Sequence, residues 1–293
     1  VCWIYNKLIF TPYFTRLFEL FDKNLIALTV TKIKKIITHG GQWHADEISA
    51  IALFAIMHGL ELSGILGEVV SLHKPRMYVS LERRINVTNE ELEDPSVLVL
   101  DIGRKLNYGK SNLDHHQDSI LGASNLLMMN YLWDLQKDER VFGKLQKLLF
   151  NRISDIDTGV VPRGGESWEF NAIIRACDNF AQALELAVGV ISRMIRNIEK
   201  SFVDAKLFNA LPVIGRVAVN NDTNIILDWK ELASAKNIVY LVTPNPRGGF
   251  NLISRDSEAF PIKATDNQTF RHNSGFMAVY ATQKEAILAG NQN

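Results

Sequence analysis

The chain has 293 residues, of which 47% are hydrophobic and 22% charged, a makeup that excludes extensive disorder and a length that points to two domains. Thirty-two basic residues balance 32 acidic ones, which excludes a uniformly basic nucleic-acid coat but not a local basic groove. Two cysteines, Cys2 and Cys177, cannot build a disulfide framework or a four-thiolate zinc site, and they point to a reducing compartment.

Residues 1–33 are expected to form an extension outside the folded domains. They are aromatic-rich, carry Pro12 in a helix-compatible run, and have Glu19 and Asp22 as their only acids. The segment lacks serine and its basic residues are sparse, which weakens a transit-peptide reading. Cytoplasmic location is the default, with mitochondrial location the alternative if this segment is a transit peptide. No window reaches the roughly 18–20 uninterrupted apolar residues needed to span a bilayer, so a soluble protein with no membrane partner is expected.

From Lys34 the pattern becomes regular. Lys34–His39 reads as a buried strand entering a Gly-Gly turn, and Ala45–His58 as a helix with Asp46 and Glu47 in its first turn. Ser96–Asp101 is a second buried strand ending in a carboxylate, and Asn112–His116 ends a third or opens the loop after it. Ala123–Phe150 reads as helical with a break near Asp138, and Asp178–Phe208 as one long helix with an apolar face through Leu184, Ile191 and Ile198. Beyond Leu211-Pro212 come short strand-like runs at Val213–Val219, Ile238–Thr243, Phe250–Arg255 and Phe276–Tyr280. The expected fold class is therefore α/β. A parallel-sheet domain over 34–208 precedes a smaller α+β domain over 209–293.

Five of the seven histidines, His39, His44, His115, His116 and His272, lie in polar, Gly-rich or Asp-rich contexts. They belong to an ordered series. THGGQWHADE holds His39, His44 and Asp46; VLVLDIG holds Asp101; then come Asp114-His115-His116 and ISDIDTG with Asp155 and Asp157. Each set falls at the carboxyl end of an expected strand or in a turn beside a helix, where ligands bind in open α/β sheets. Carboxylates with imidazoles suit two divalent ions, Mn²⁺ first and Mg²⁺ second. His39, His44, Asp46, Asp101, His115 and Asp157 could ligate them, with Asp101 as the bridge and His116 free for substrate or proton transfer. Taken singly, each has a plainer reading, as a strand-terminating Asp or as helix-dipole acids. Their joint occurrence in order is hard to explain as packing.

The ordered motifs resemble the DHH phosphoesterase superfamily. More narrowly, THGGQWHADE together with RHNSGF (Arg271–Phe276) resembles the MYG1 exonuclease family, from about Lys34 to Gly290. The resemblance implies a first metal loop of His39, His44 and Asp46, Asp101 as bridging ligand and catalytic residue, and His115 and Asp157 as further ligands. It also implies that His116 faces the substrate as a catalytic residue. The wider superfamily has Asp where this chain has His44, which leaves the ion bound by His44 open. Relatives of the narrower family tend to Asp-Asn-Gly where this chain reads Asp157-Thr158-Gly159, which favours Asp157 over Asp155. The C-terminal domain would grip substrate through Arg271, His272, Ser274 and Gly275, with Asn273 beside them; Arg163 and Arg247 are looser candidates for a phosphate clamp, and a polar turn is the plainer reading of all these segments. The activity implied is 3′–5′ exonuclease action on RNA. The alternatives are a pyrophosphatase, a short-oligonucleotide or cyclic-dinucleotide phosphodiesterase, and a non-catalytic metal-binding regulator, with a homodimer left open.

Overall fold

The computed structural model describes residues 33–66, 69–74, 77–118, 120–133, 138–162 and 169–293. The expected N-terminal extension lies outside them apart from Ile33, as does Arg163. The chain divides into two compact units at Ile195–Arg196, inside the long helix that is observed as Phe180–Asn209.

Among the described residues the strands of the first unit are β1 (Lys35–His39), β2 (Glu61–Leu66), β3 (Val69–Lys74), β4 (Met77–Arg84), β5 (Val97–Leu100), β6 (Leu106–Asn107) and β7 (Asn112–Leu113). They form one seven-stranded sheet in the order β2-β3-β4-β1-β5-β7-β6. The pairs β4–β1, β1–β5 and β5–β7 are parallel, with Ile36 opposite Leu81 on one side and Leu98 on the other. The expected parallel sheet is thus the centre of a mixed one. The difference arises at β2, β3 and β4, whose short connections allow only antiparallel hairpins. Strand β5 is buried along its length and β1 through its three middle residues, so these two read in sequence as short apolar runs.

Helix α1 (Ala45–His58) is buried on every side from Ala45 to Ala55, which explains why its sequence is apolar throughout rather than amphipathic. It ends at Gly59 in the left-handed conformation, which donates back to the Ala55 and Ile56 carbonyls. A short helix α2 (Asn89–Glu93) starts at Thr88, whose hydroxyl accepts from the Glu91 amide. The helical stretch expected at 123–150 is found in pieces: α3 (Ser124–Tyr131), then α4 (Glu139–Leu145) begun by an Asp138 side-chain cap. A π turn over Gln146–Phe150 leads into α5 (Asn151–Asp157). Helix α6 (Phe170–Arg175) precedes α7 (Phe180–Asn209).

The second unit is a six-stranded sheet built from β8 (Val213–Ile214), β9 (Val217–Val219), β10 (Tyr240–Pro244), β11 (Phe250–Ser254), β12 (Gln268–Arg271) and β13 (Met277–Tyr280). Its strands alternate between two cores. Val217, Tyr240, Val242 and Tyr280 face Ala286 and Ala289 of α9 (Gln283–Gln292). Ala218 and Leu241 face Phe208 and Trp229, the latter on α8 (Trp229–Ser234). Among the described residues no helix is long and apolar enough to cross a membrane.

Candidate metal centre

Parallel pairing places the carboxyl ends of β1, β5 and β7 side by side, and each ends in a chemically active side chain. His39 is the last residue of β1, Asp101 follows β5, and Asp114-His115-His116 follows β7. Asp101 has φ 56°, a left-handed conformation that Asp tolerates better than most residues. Its amide is held by the Leu113 carbonyl at 3.2 Å. The remaining candidates come from helix ends: His44 caps α1, Asp46 lies in its first turn, and Asp157 is the last residue of α5.

These side chains converge. His115 Nε2 lies 3.1 Å from Asp101 Oδ1 and 3.3 Å from Asp157 Oδ2, while His39 Nε2 is 3.3 Å from Asp101 Oδ2. His44 Nδ1 is 3.7 Å from Asp157 Oδ1. Among the described residues, three sets bring one ligand atom per residue within 4.8 Å of one another: His39, His44 and Asp101; Asp101, His115 and His116; His44, Asp46 and Asp157. Asp101 belongs to two of them, and so does His44.

The approaches are close but badly aligned for hydrogen bonding. Nε2 of His39 and of His115, both carboxylate oxygens of Asp101, and Oδ1 of Asp46 are buried without a hydrogen-bond partner among the described residues. Buried polar atoms are rarely left in that state. Lone pairs that point at a shared point, rather than at each other, are what a cation requires: ligands about 2.1 Å from one octahedral ion sit about 3 Å apart. The donor set, oxygen with imidazole nitrogen, fits a divalent ion of the Mn²⁺ or Mg²⁺ class.

The electrostatics agree. Burial disfavours charge on His39, but the Asp101 and Glu47 carboxylates outweigh it and carry its pKa up to about 11. His115 is carried up to about 10 in the same way, by Asp101 and Asp157. Burial pushes Asp101 up, yet His115 and His39 hold it well below the usual carboxylate range. Asp46 is pushed well above that range by burial and by the charges of Asp101, Asp157 and Glu47. Protons on the histidines and divalent cations are alternative ways of balancing the same carboxylates.

Around the ligand set lies a supporting layer in which Thr38, Glu47 and Asp114 fall within the motifs, whereas Ser124 and Arg83 do not. Glu47 is fully buried and takes a hydrogen bond from the Thr38 hydroxyl and another from the His44 amide at 3.0 Å, while its Oε1 lies 3.0 Å from His39 Nε2. Ser124 donates to Asp46 Oδ2 from its hydroxyl at 2.7 Å and from its amide at 3.3 Å, which places that carboxylate at the positive end of α3. Asp114 holds His116 twice, through the ring Nδ1 at 2.7 Å and the amide at 3.0 Å. Arg83, buried between the Trp43 and Phe180 rings, donates to the Gly41 carbonyl at 2.7 Å and so fixes the loop between His39 and His44. Ser124 and Arg83 are distant in sequence from the groups they hold, so local spacing does not reveal that part of the layer.

His116 is half exposed, at 52%, beside a cavity of about 290 Å³ whose wall includes His39, His44, Asp101, Arg104 and Asp114. The residues expected to grip substrate lie in the second unit. Arg271 donates through Nε to the Ile262 carbonyl at 2.6 Å, and the His272 ring Nδ1 lies 3.0 Å from the Ser274 hydroxyl. Gly275 has φ 70°, and a Cβ there would stand 3.1 Å from the Ile262 nitrogen, so the turn accounts for this glycine by itself. Asn273 and Arg247 are exposed, the Arg247 amide being tied to Asn245 Oδ1 at 2.8 Å.

No protein-family model matches the chain, and no curated protein matches it. Among solved structures it is similar to RecJ from Thermus thermophilus, crystallised in complex with Mg²⁺, at 12% identity and a TM-score of 0.28. That alignment covers 92% of this chain and 50% of the other, so the chain spans about half the length of that structure. The functional case rests on the residues of the centre itself.

Proposed function

We propose that this chain is a metal-dependent phosphoesterase whose first unit holds two divalent cations. The observation that carries this reading is the set of buried, unpartnered ligand atoms on Asp101, His39, His115 and Asp46. His39, His44 and Asp46 would serve one ion, His115 and Asp157 the other, and Asp101 both. Bound divalent ions supply Lewis acidity and bring the pKa of a water into the neutral range.

The chain's own residues supply orientation and proton transfer. A carboxylate only accepts hydrogen bonds, so the 2.7 Å contact with Asp114 places a proton on His116 Nδ1. Nε2 of His116 is then the atom that would take a proton from an attacking water or, once protonated, give one to a leaving oxygen. The Gly40 carbonyl, 2.9 Å from Nδ1 of His39, and Ser124, donating to Asp46, orient these two side chains, which supports a preorganised site.

The finer assignment, a 3′–5′ exonuclease on RNA preferring Mn²⁺, draws on the motif resemblance. It is tested with a short single-stranded RNA labelled at its 5′ end and incubated with Mn²⁺. A ladder shortening from the 3′ end, lost in EDTA and in Asp101→Asn, is the expected result. Intact RNA with hydrolysis of pyrophosphate or a dinucleotide would move the substrate to those classes. No hydrolysis of any of them by metal-loaded protein would leave a metal-binding regulator.

A further inference from the structure

The turn after β5 contains a residue that the metal site does not use. Arg104 lies in the left-handed region at φ 51°, next to Gly103 at φ 96° and three residues after Asp101 at φ 56°. Left-handed backbone disfavours a residue with a Cβ by roughly 1–2 kcal/mol, and a strained residue persists only where its surroundings dictate it. Here they do. The Arg104 amide donates to Asp114 Oδ2 at 2.6 Å, and the Asp114 amide donates to the Lys105 carbonyl at 3.2 Å. Gly103 is held against Val87 and Leu92, where a Cβ would come within 3.0 and 3.1 Å.

The outcome is an exposed arginine on the wall of the cavity that Asp101, His39 and His44 also line. Among the described residues its guanidinium enters no ion pair or hydrogen bond, although other surface cations nearby are paired, such as Lys105 with Glu93 at 2.6 Å. Asp114 ties the two groups together, with Oδ2 taking the Arg104 amide and Oδ1 the His116 ring. The remaining wall is histidine, carboxylate, glycine and Ile102. Once cations balance the carboxylates, Arg104 is the fixed positive charge left on that wall for an anionic ligand.

We propose that Arg104 binds the phosphate group of the substrate, with the guanidinium taking non-bridging oxygens of a phosphoryl group that also faces the metal centre. This rests on the metal-centre reading and deepens it by naming the group recognised: a tetrahedral phosphoryl anion, which the planar, multi-donor guanidinium matches.

The test uses the full chain as wild type, Arg104→Gln, Arg104→Lys and Arg104→Gly, with inorganic phosphate as the probe. Calorimetry first measures Mn²⁺ binding, then phosphate binding to the Mn²⁺-loaded protein. The expected result is unchanged Mn²⁺ affinity in every variant and a phosphate dissociation constant raised about 10–100-fold in Arg104→Gln, since hydrogen bonds to charged groups carry that much. Arg104→Lys should recover part of the loss, as a point charge without the fork. Arg104→Gly relieves the left-handed strain while loosening the unfolded chain, so its unfolding temperature should stay within about 2 °C of wild type while phosphate binding falls. Wild-type phosphate affinity in Arg104→Gln, with Mn²⁺ bound, would overturn the Arg104 assignment and leave the metal centre standing. Failure of the wild type to bind Mn²⁺ would overturn both.

Discussion

Replacing Asp101 with asparagine keeps the size of the side chain and removes the charge on which His39 and His115 converge, at 3.3 and 3.1 Å. In EDTA the variant loses both approaches. Its side chain is 1% exposed, so a destabilisation of about 3–5 kcal/mol is expected, the range for a broken buried pair. That loss alone would not distinguish a metal centre from a structural ion-pair network. The distinguishing quantity is the increment produced by metal. Mn²⁺ at a hundred times its dissociation constant stabilises a folded protein by about 2.7 kcal/mol for each ion bound. For a unit of this size that corresponds to roughly 5–10 °C in unfolding temperature. Thermal unfolding of the wild type in EDTA and in Mn²⁺ should show that rise, and Asp101→Asn should show almost none of it. Asp157→Asn, altered at a side chain with 9% exposure, is a second variant with a smaller folding penalty. No Mn²⁺-dependent rise in the wild type, or a full rise in Asp101→Asn, would refute the assignment of the cluster as a metal centre.

Other perturbations separate the supporting layer and the rest of the fold. Glu47→Gln should leave the number of bound ions unchanged and weaken their binding about 10–100-fold, because the Glu47 carboxylate holds the His44 amide and sets a negative charge 3.0 Å from His39 Nε2; calorimetry showing unaltered affinity would assign it to folding alone. His58 is buried against the Phe54 ring and beside Lys74, and burial lowers its pKa to about 4. Between pH 6.5 and 4 the unfolded chain takes up a proton that the folded one refuses, so stability should fall with pH by up to about 3 kcal/mol. Denaturant titrations of His58→Leu should show that part of the acid loss removed, and an unchanged pH slope would contradict it. Gly290→Ala places a Cβ 2.7 Å from Val217 Cγ2 and 3.1 Å from Leu252 Cδ1, so overpacking should lower the stability of the second unit by about 1–3 kcal/mol. A denaturation midpoint equal to wild type would mean that α9 shifts freely.

The sequence carries its chemistry in order because the fold does. Once β1, β5 and β7 pair in parallel, whatever follows each strand shares one edge, so His39, Asp101 and Asp114-His115-His116 are legible as a series. Asp157 joins them from a helix end, 3.3 Å from His115, though its Asp-x-Asp-x-Gly context leaves Asp155 as a rival in the sequence. The strands β2 and β3 are not legible. Their residues alternate weakly, and what makes them strands is antiparallel pairing back toward β4. The C-terminal helix α9 is hidden for a similar reason: its small residues Ala286, Ala289 and Gly290 give a weak apolar signal but pack closely on β9 and β11.

Charge balance gives the cluster its meaning. Asp46, Glu47 and Asp101 are each at most 3% exposed, a concentration of acid that a protein interior tolerates only with compensating charge. An ion-pair network would recruit a nearby arginine, and Arg83 is available at 6% exposure. Yet among the described residues Arg83 forms no ion pair; it is held by two aromatic rings and the Gly41 carbonyl. The buried arginine instead shapes the loop between His39 and His44. The carboxylates are left facing histidines that ligate as readily as they accept protons, an arrangement suited to ions that come and go with solvent conditions rather than to a permanent internal salt bridge.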